Sequence, residues 1–165
     1  MMKEKKGQIY LFSRAIRTGK TTALYNWVQD RPGAAGILTP DVHNRRVIYD
    51  IATKRYHTFE VADSYGGEKI TIGRFLFAKE AFARARDILA AAVAQHPAWL
   101  VIDEAGKLEL EQGEGLEPAI LNTVRSYQSG QQDGQLLIVV RDSLLPQAIN
   151  RYGLQDAIVL SEHLP

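Results

Sequence analysis

Two stretches of the chain, Trp99-Leu100-Val101-Ile102 and Leu136 to Val140, are made of apolar residues only. A strand with one wet face alternates apolar and polar residues, so an unbroken run of this length reads as a strand covered on both sides. That is the pattern of a parallel sheet enclosed by helices. The covering helices are visible in the same sequence: Ala81, Phe82, Ala85, Ile88, Leu89, Ala92 and Val93 recur at three- and four-residue steps, and so do Leu116, Ala119, Ile120, Thr123, Val124 and Tyr127. A further helix is expected from Leu144 to Tyr152, and shorter strands at Gln8 to Phe12, Ala34 to Thr39 and Ala157 to Leu160. Arg46 to Thr53 and Tyr56 to Val61 read as a wetter β-hairpin beside the sheet, and Asp63 to Gly73 as a polar, glycine-rich loop. The expected class is α/β, a three-layer fold with a mainly parallel central sheet, helices on both faces and the hairpin as a side element. Right-handed crossovers in such a sheet place ligands at the C-terminal edge of its strands.

The segment from Arg14 to Thr21 joins the first strand to a helix that begins at Thr21 and carries Ala23, Leu24, Trp27 and Val28 on one side. It fits the frame G-x-x-x-x-G-K-[ST] except that Arg14 stands at the first glycine. In such a loop the backbone N–H groups and the positive end of the helix face phosphate oxygens. Gly19 permits the close turn, Lys20 is expected to bridge the β- and γ-phosphates, the Thr21 hydroxyl to ligate Mg, and Thr22 to bond the α-phosphate. Arg17 and Thr18 lie inside the same loop and are counted with the nucleotide-binding residues.

The apolar run ending at Ile102 is followed at once by Asp103-Glu104. An aspartate at the C-terminal end of a buried strand is placed to hold Mg, and an adjacent glutamate to polarise a water. That order leans toward hydrolysis of a triphosphate over transfer to an acceptor. Arg141, at the end of the apolar run Leu136 to Val140, is a candidate for sensing the γ-phosphate, and Lys107 a weaker one for neutralising phosphate charge. His43, His57, His96 and His163 are scattered without metal-ligand spacing.

Composition narrows the partners. The chain has 165 residues, 45% of them hydrophobic and 24% charged, which suits one domain over 1–165. Twenty Lys and Arg against nineteen Asp and Glu leave a net charge of +1, no footprint for a nucleic acid. There is no cysteine, so thiolate chemistry is excluded and a reducing, cytoplasmic setting is expected. Neither a signal peptide nor a membrane span is expected.

Gly19-Lys20-Thr21-Thr22 together with the string from Val101 to Leu110, D-E-x-G-x-x-E-L at its centre, resembles the small nucleoside-triphosphatase family of the THEP type. Gly36 to Pro40 followed by Arg46 to Ile51 is similar to that family's second strand and hairpin. The resemblance implies a compact P-loop domain of the RecA-like group that hydrolyses ATP, GTP and other triphosphates slowly with Mg. It also implies phosphate, Mg and water-activating roles for Lys20, Thr21, Asp103 and Glu104. The family loop is glycine-rich, G-x-x-G-x-G-K-T-T, whereas Arg14 and Arg17 occupy its two earlier glycine positions here. The alternatives are a non-catalytic nucleotide sensor with a modified loop, and a small-molecule or nucleotide kinase with 63–73 as a lid.

Overall fold

The structure is a computed structural model, and it describes residues 7–14 and 20–165. Its elements follow in the order β1 (Ile9–Arg14), α1 (Lys20–Gln29), β2 (Ala34–Leu38), β3 (Asp41–Val42), β4 (Arg45–Asp50), β5 (Arg55–Thr58), β6 (Lys69–Ile72), β7 (Phe75–Ala78), α2 (Lys79–Ala94), β8 (Trp99–Asp103), α3 (Lys107–Gln112), α4 (Ala119–Gln128), β9 (Gln135–Arg141), α5 (Leu145–Tyr152) and β10 (Ile158–Leu160). The main sheet runs β10-β1-β9-β8-β2-β4-β3, with β5 paired to β4. The five strands from β10 to β2 are parallel, and β4 turns back antiparallel to β2.

The apolar runs are buried on both faces, as their lack of alternation requires. In β9 Leu136, Ile138 and Val140 point into one core and Leu137 and Val139 into the other, all fully buried. The first core is closed by residues of α2, α4 and α5, the second by Leu24 and Val28 of α1. Each such residue contributes about 1.5–3 kcal/mol of transfer free energy, which makes β9 and β8 the thermodynamic centre of the molecule. No helix among the described residues is long and apolar enough to cross a membrane.

Three local expectations change. The segment Asp63 to Gly73 is not loop throughout: Lys69–Ile72 is β6, which pairs with β7 as a separate two-stranded sheet. Alternating exposure in β6 gave too weak a signal beside the glycines that flank it. The hairpin β4–β5 is not a side element but continues the main sheet through Ile37↔Asp50 and Leu38↔Tyr49. The helix expected from Leu116 begins at Ala119, after Pro118, and a short helix α3 precedes it. Leu116 is buried in the first core all the same, so its apolar character reported packing rather than helix.

Candidate functional site

Because β9 lies between β1 and β8, the C-terminal ends of three neighbouring strands meet at one edge. Register puts Arg14 opposite Arg141 and Asp103 opposite Val139. The start of α1, which follows the phosphate-loop sequence, comes back over this edge. Its Thr21 hydroxyl donates to Asp103 Oδ2 at 2.9 Å, joining residues 82 positions apart. Asp103 is 1% exposed, and the same oxygen accepts from the Thr39 backbone N–H at 3.2 Å. The Asp103–Glu104 peptide bond is cis. A buried carboxylate beside a hydroxyl is a hard-oxygen pair of the kind that suits Mg, which takes one or two protein oxygens and completes its shell with phosphate and water. Among the described residues no group of three or more His, Cys, Asp and Glu forms a metal cage.

A cleft of about 990 Å³ opens over this pair. Thr21, Thr22, Asp103, Glu104, Lys107 and Arg141 all line it, so the candidates from three separate stretches of sequence are brought together. Glu104 and Arg141 are half-buried there, and Thr22 and Lys107 exposed. Lys20 opens α1. The expectations for Arg17, Thr18 and Gly19 lie outside the described residues.

The structure gives a place at the site to two residues to which the sequence assigned no role. Arg46, on β4, donates through Nη2 to Thr39 Oγ1 at 2.8 Å, while Thr39 N–H bonds Asp103. A guanidinium therefore stands two hydrogen bonds from the strand-end acid. In the sequence Arg46 is one charge among several in a polar hairpin, and no local pattern marks it. Glu109 is the second. It is 4% exposed and accepts the Gly106 N–H at 2.9 Å and the Leu116 N–H at 3.0 Å, clamping the loop that follows Glu104. Gly115 closes over it with φ +67, where an added Cβ would lie 2.0 Å from Glu109 Oε2; Arg86 donates to the Gly115 carbonyl from α2. Burial pushes the Glu109 carboxyl above its ordinary range, the Leu116 and Gly106 N–H groups pull it down, and Glu117 adds an upward push. Glu117 itself accepts from the Tyr152 hydroxyl and faces Arg151 at 3.6 Å. Glycine before α3 with glutamate three positions on was the available signal for Glu109.

No family model and no curated protein sequence matches the chain. Solved structures do match. The crystal structure of THEP1 from the hyperthermophile Aquifex aeolicus aligns over 93% of this chain and 89% of that one, with a TM-score of 0.69 and 18% identity. The chain has the THEP1 fold. The solution structure of a human cancer-related nucleoside triphosphatase aligns over 93% of this chain and 87% of its own, with a TM-score of 0.59 and 17% identity. At such identity the likeness establishes architecture alone, the α/β sheet with helices on both faces expected from the succession of strands and helices. In this chain the strand-end acid, the first turn of α1 and the arginine that ends β9 share one sheet edge.

Proposed function

We propose that the chain binds a Mg-nucleoside triphosphate in this cleft and hydrolyses it to the diphosphate and phosphate, with broad tolerance of the base. The observation that carries this reading is the 2.9 Å bond from Thr21 to Asp103: the residue type expected to hold Mg from the loop side meets the one expected from the strand side. The names of the two similar structures, a THEP1 and a nucleoside triphosphatase, point the same way.

In this reading Arg17, Thr18, Gly19 and Lys20 hold the phosphate chain, with Thr22 on the α-phosphate, and Thr21 and Asp103 ligate Mg. Mg held by Thr21 and Asp103 would supply positive charge to the phosphate chain. The Glu104 carboxylate accepts the proton of the attacking water as its oxygen bonds the γ-phosphorus and the bond to the β-γ bridging oxygen breaks. Arg141 and Arg46 supply positive charge where the terminal phosphoryl group develops negative charge. Glu109 fixes the loop that leads from Glu104 to Lys107 at the start of α3. The cysteine-free composition favours a cytoplasmic setting, with 1–165 acting as one domain.

The test is a phosphate-release screen over ATP, GTP, CTP and UTP with Mg, comparing wild type, Lys20→Ala and Glu104→Gln. Release by wild type, lost in Lys20→Ala, and lost in Glu104→Gln with nucleotide still bound, is the expected result. Tight binding with no release from wild type selects a nucleotide sensor instead. Diphosphate formed only when a hydroxyl acceptor is added selects a kinase.

A further inference from the structure

The cleft is larger than the phosphate edge it contains. The phosphate-loop sequence lies between β1 and α1, the acid pair ends β8, and β9 separates the two strands. On the nucleotide reading above, a triphosphate held from Thr22 to Asp103 therefore runs from the β1 side toward β8, with its terminal phosphoryl group foremost. The lining contributed by β4, β7 and α2 lies past that group, on the side away from the nucleoside. At about 990 Å³ the whole cleft reaches the upper end of the range for small-molecule sites, roughly 300–1,000 Å³.

The chemistry of this far half differs from that of the phosphate half. Its floor is aromatic: the Phe59 ring lies 4.4 Å from Phe77 and 5.1 Å from Phe82, and all three line the cleft. Over the floor projects the tip of the β6–β7 hairpin, carrying Arg74 and Phe75. Phe75 is 41% exposed with the Arg74 guanidinium 5.0 Å from its ring centre. Large exposed apolar residues among the described ones are Val42, Tyr56, Phe75, Ile158 and Val159; the first three line this cleft, and the other two sit on edge strand β10. Exposed apolar groups gathered around a concavity mark a ligand site, whereas scattered ones mark nothing. The charges here are Arg46 and Arg74 against Asp41.

We propose that the far half of the cleft binds a second small molecule, a planar aromatic carrying a phosphate or carboxylate, seated against the terminal phosphoryl group of the nucleotide. The ring stacks on Phe75 above the nearly buried floor of Phe59, Phe77 and Phe82, and the anion pairs with Arg74, with Arg46 shared between it and the terminal phosphoryl group.

The experiment is calorimetric titration of the full chain, first saturated with Mg and the non-hydrolysable triphosphate AMP-PNP, with nucleoside 5′-monophosphates and pyridoxine 5′-phosphate. At least one probe is expected to form a ternary complex with a sub-millimolar Kd. Arg74→Ala and Phe75→Ala, both exposed positions, are each expected to weaken it about tenfold while AMP-PNP affinity stays unchanged. Three results overturn the proposal: no probe binds at millimolar concentration, AMP-PNP displaces every probe that does, or binding ignores both substitutions. Failure of AMP-PNP itself to bind would count against the nucleotide reading alone. The probes titrated into the free protein, with the same two variants, then still decide the second site.

Discussion

Asp103 shows how much a single side chain carries in this cleft. Its carboxylate is nearly inaccessible, receives the Thr21 hydroxyl and the Thr39 N–H on one oxygen, and is tied through Thr39 to Arg46. Asp103→Ala is expected to abolish the stabilisation that Mg-ATP gives the wild type, about 2.7 kcal/mol at a hundredfold excess over Kd, read as the ligand-induced shift in Tm. Arg46→Ala is expected to lower kcat on the order of a hundredfold with a smaller change in KM, because its charge acts on the developing phosphoryl charge. Arg46→Lys should recover part of the loss, and an unchanged kcat would remove Arg46 from the mechanism. Glu109 offers a pH test. Its folded pKa is raised above 4.5, so between 4.5 and that raised value the folded state binds more protons than the unfolded one. Stability from this group is therefore present at low pH and falls as pH rises through the window. Urea denaturation across that range should show the decline in wild type and lose it in Glu109→Gln.

At the scale of elements, the contact between β2 and β8 positions the acid pair and depends on one glycine. Gly36 has φ +111, and a Cβ there would lie 2.0 Å from the Val101 carbonyl oxygen and 2.8 Å from its nitrogen. Its own carbonyl accepts the Ile51 N–H, so Gly36 also ties β2 to the end of β4. Gly36→Ala forces a strained backbone and a clash with main chain that cannot swing aside, and is expected to cost about 3 kcal/mol or more in chemical denaturation. The same substitution should weaken nucleotide binding, because Ile37↔Ile102 pairing sets the level of Thr39 against Asp103.

Across the whole molecule, stability is unevenly spread. The strands β1, β9 and β8 are paired on both sides and buried on both faces, while β6–β7 is a two-stranded sheet joined to the body by a few bonds, including Val61 N–H to the Leu76 carbonyl and Ala78 N–H to the Phe59 carbonyl. Native-state hydrogen exchange is expected to open Ile70 to Ile72 at a far smaller free energy than Leu136 to Val140. Equal protection in the two segments would show the hairpin to be part of the central cooperative unit. Opening of the hairpin at low free energy would bear on the cleft, since Arg74 and Phe75 ride on its tip.

Patterns that repeat along the chain were legible without coordinates. Unbroken apolar runs identified β8 and β9, three-and-four spacing identified α2 and α4, and the two short motifs located Thr21, Thr22, Asp103 and Glu104 on what became one sheet edge. These follow from burial periodicity and from the few residue types that can face phosphate and metal. Only the tertiary structure decided that β9 separates β1 from β8, that the hairpin joins the main sheet, that Arg46 reaches the acid through Thr39, and that the Phe59, Phe77 and Phe82 rings floor a cleft. The physical reason is common to all four. Local spacing states which face of an element is buried, but partners far apart in sequence meet through strand order and packing, which no window of neighbouring residues contains.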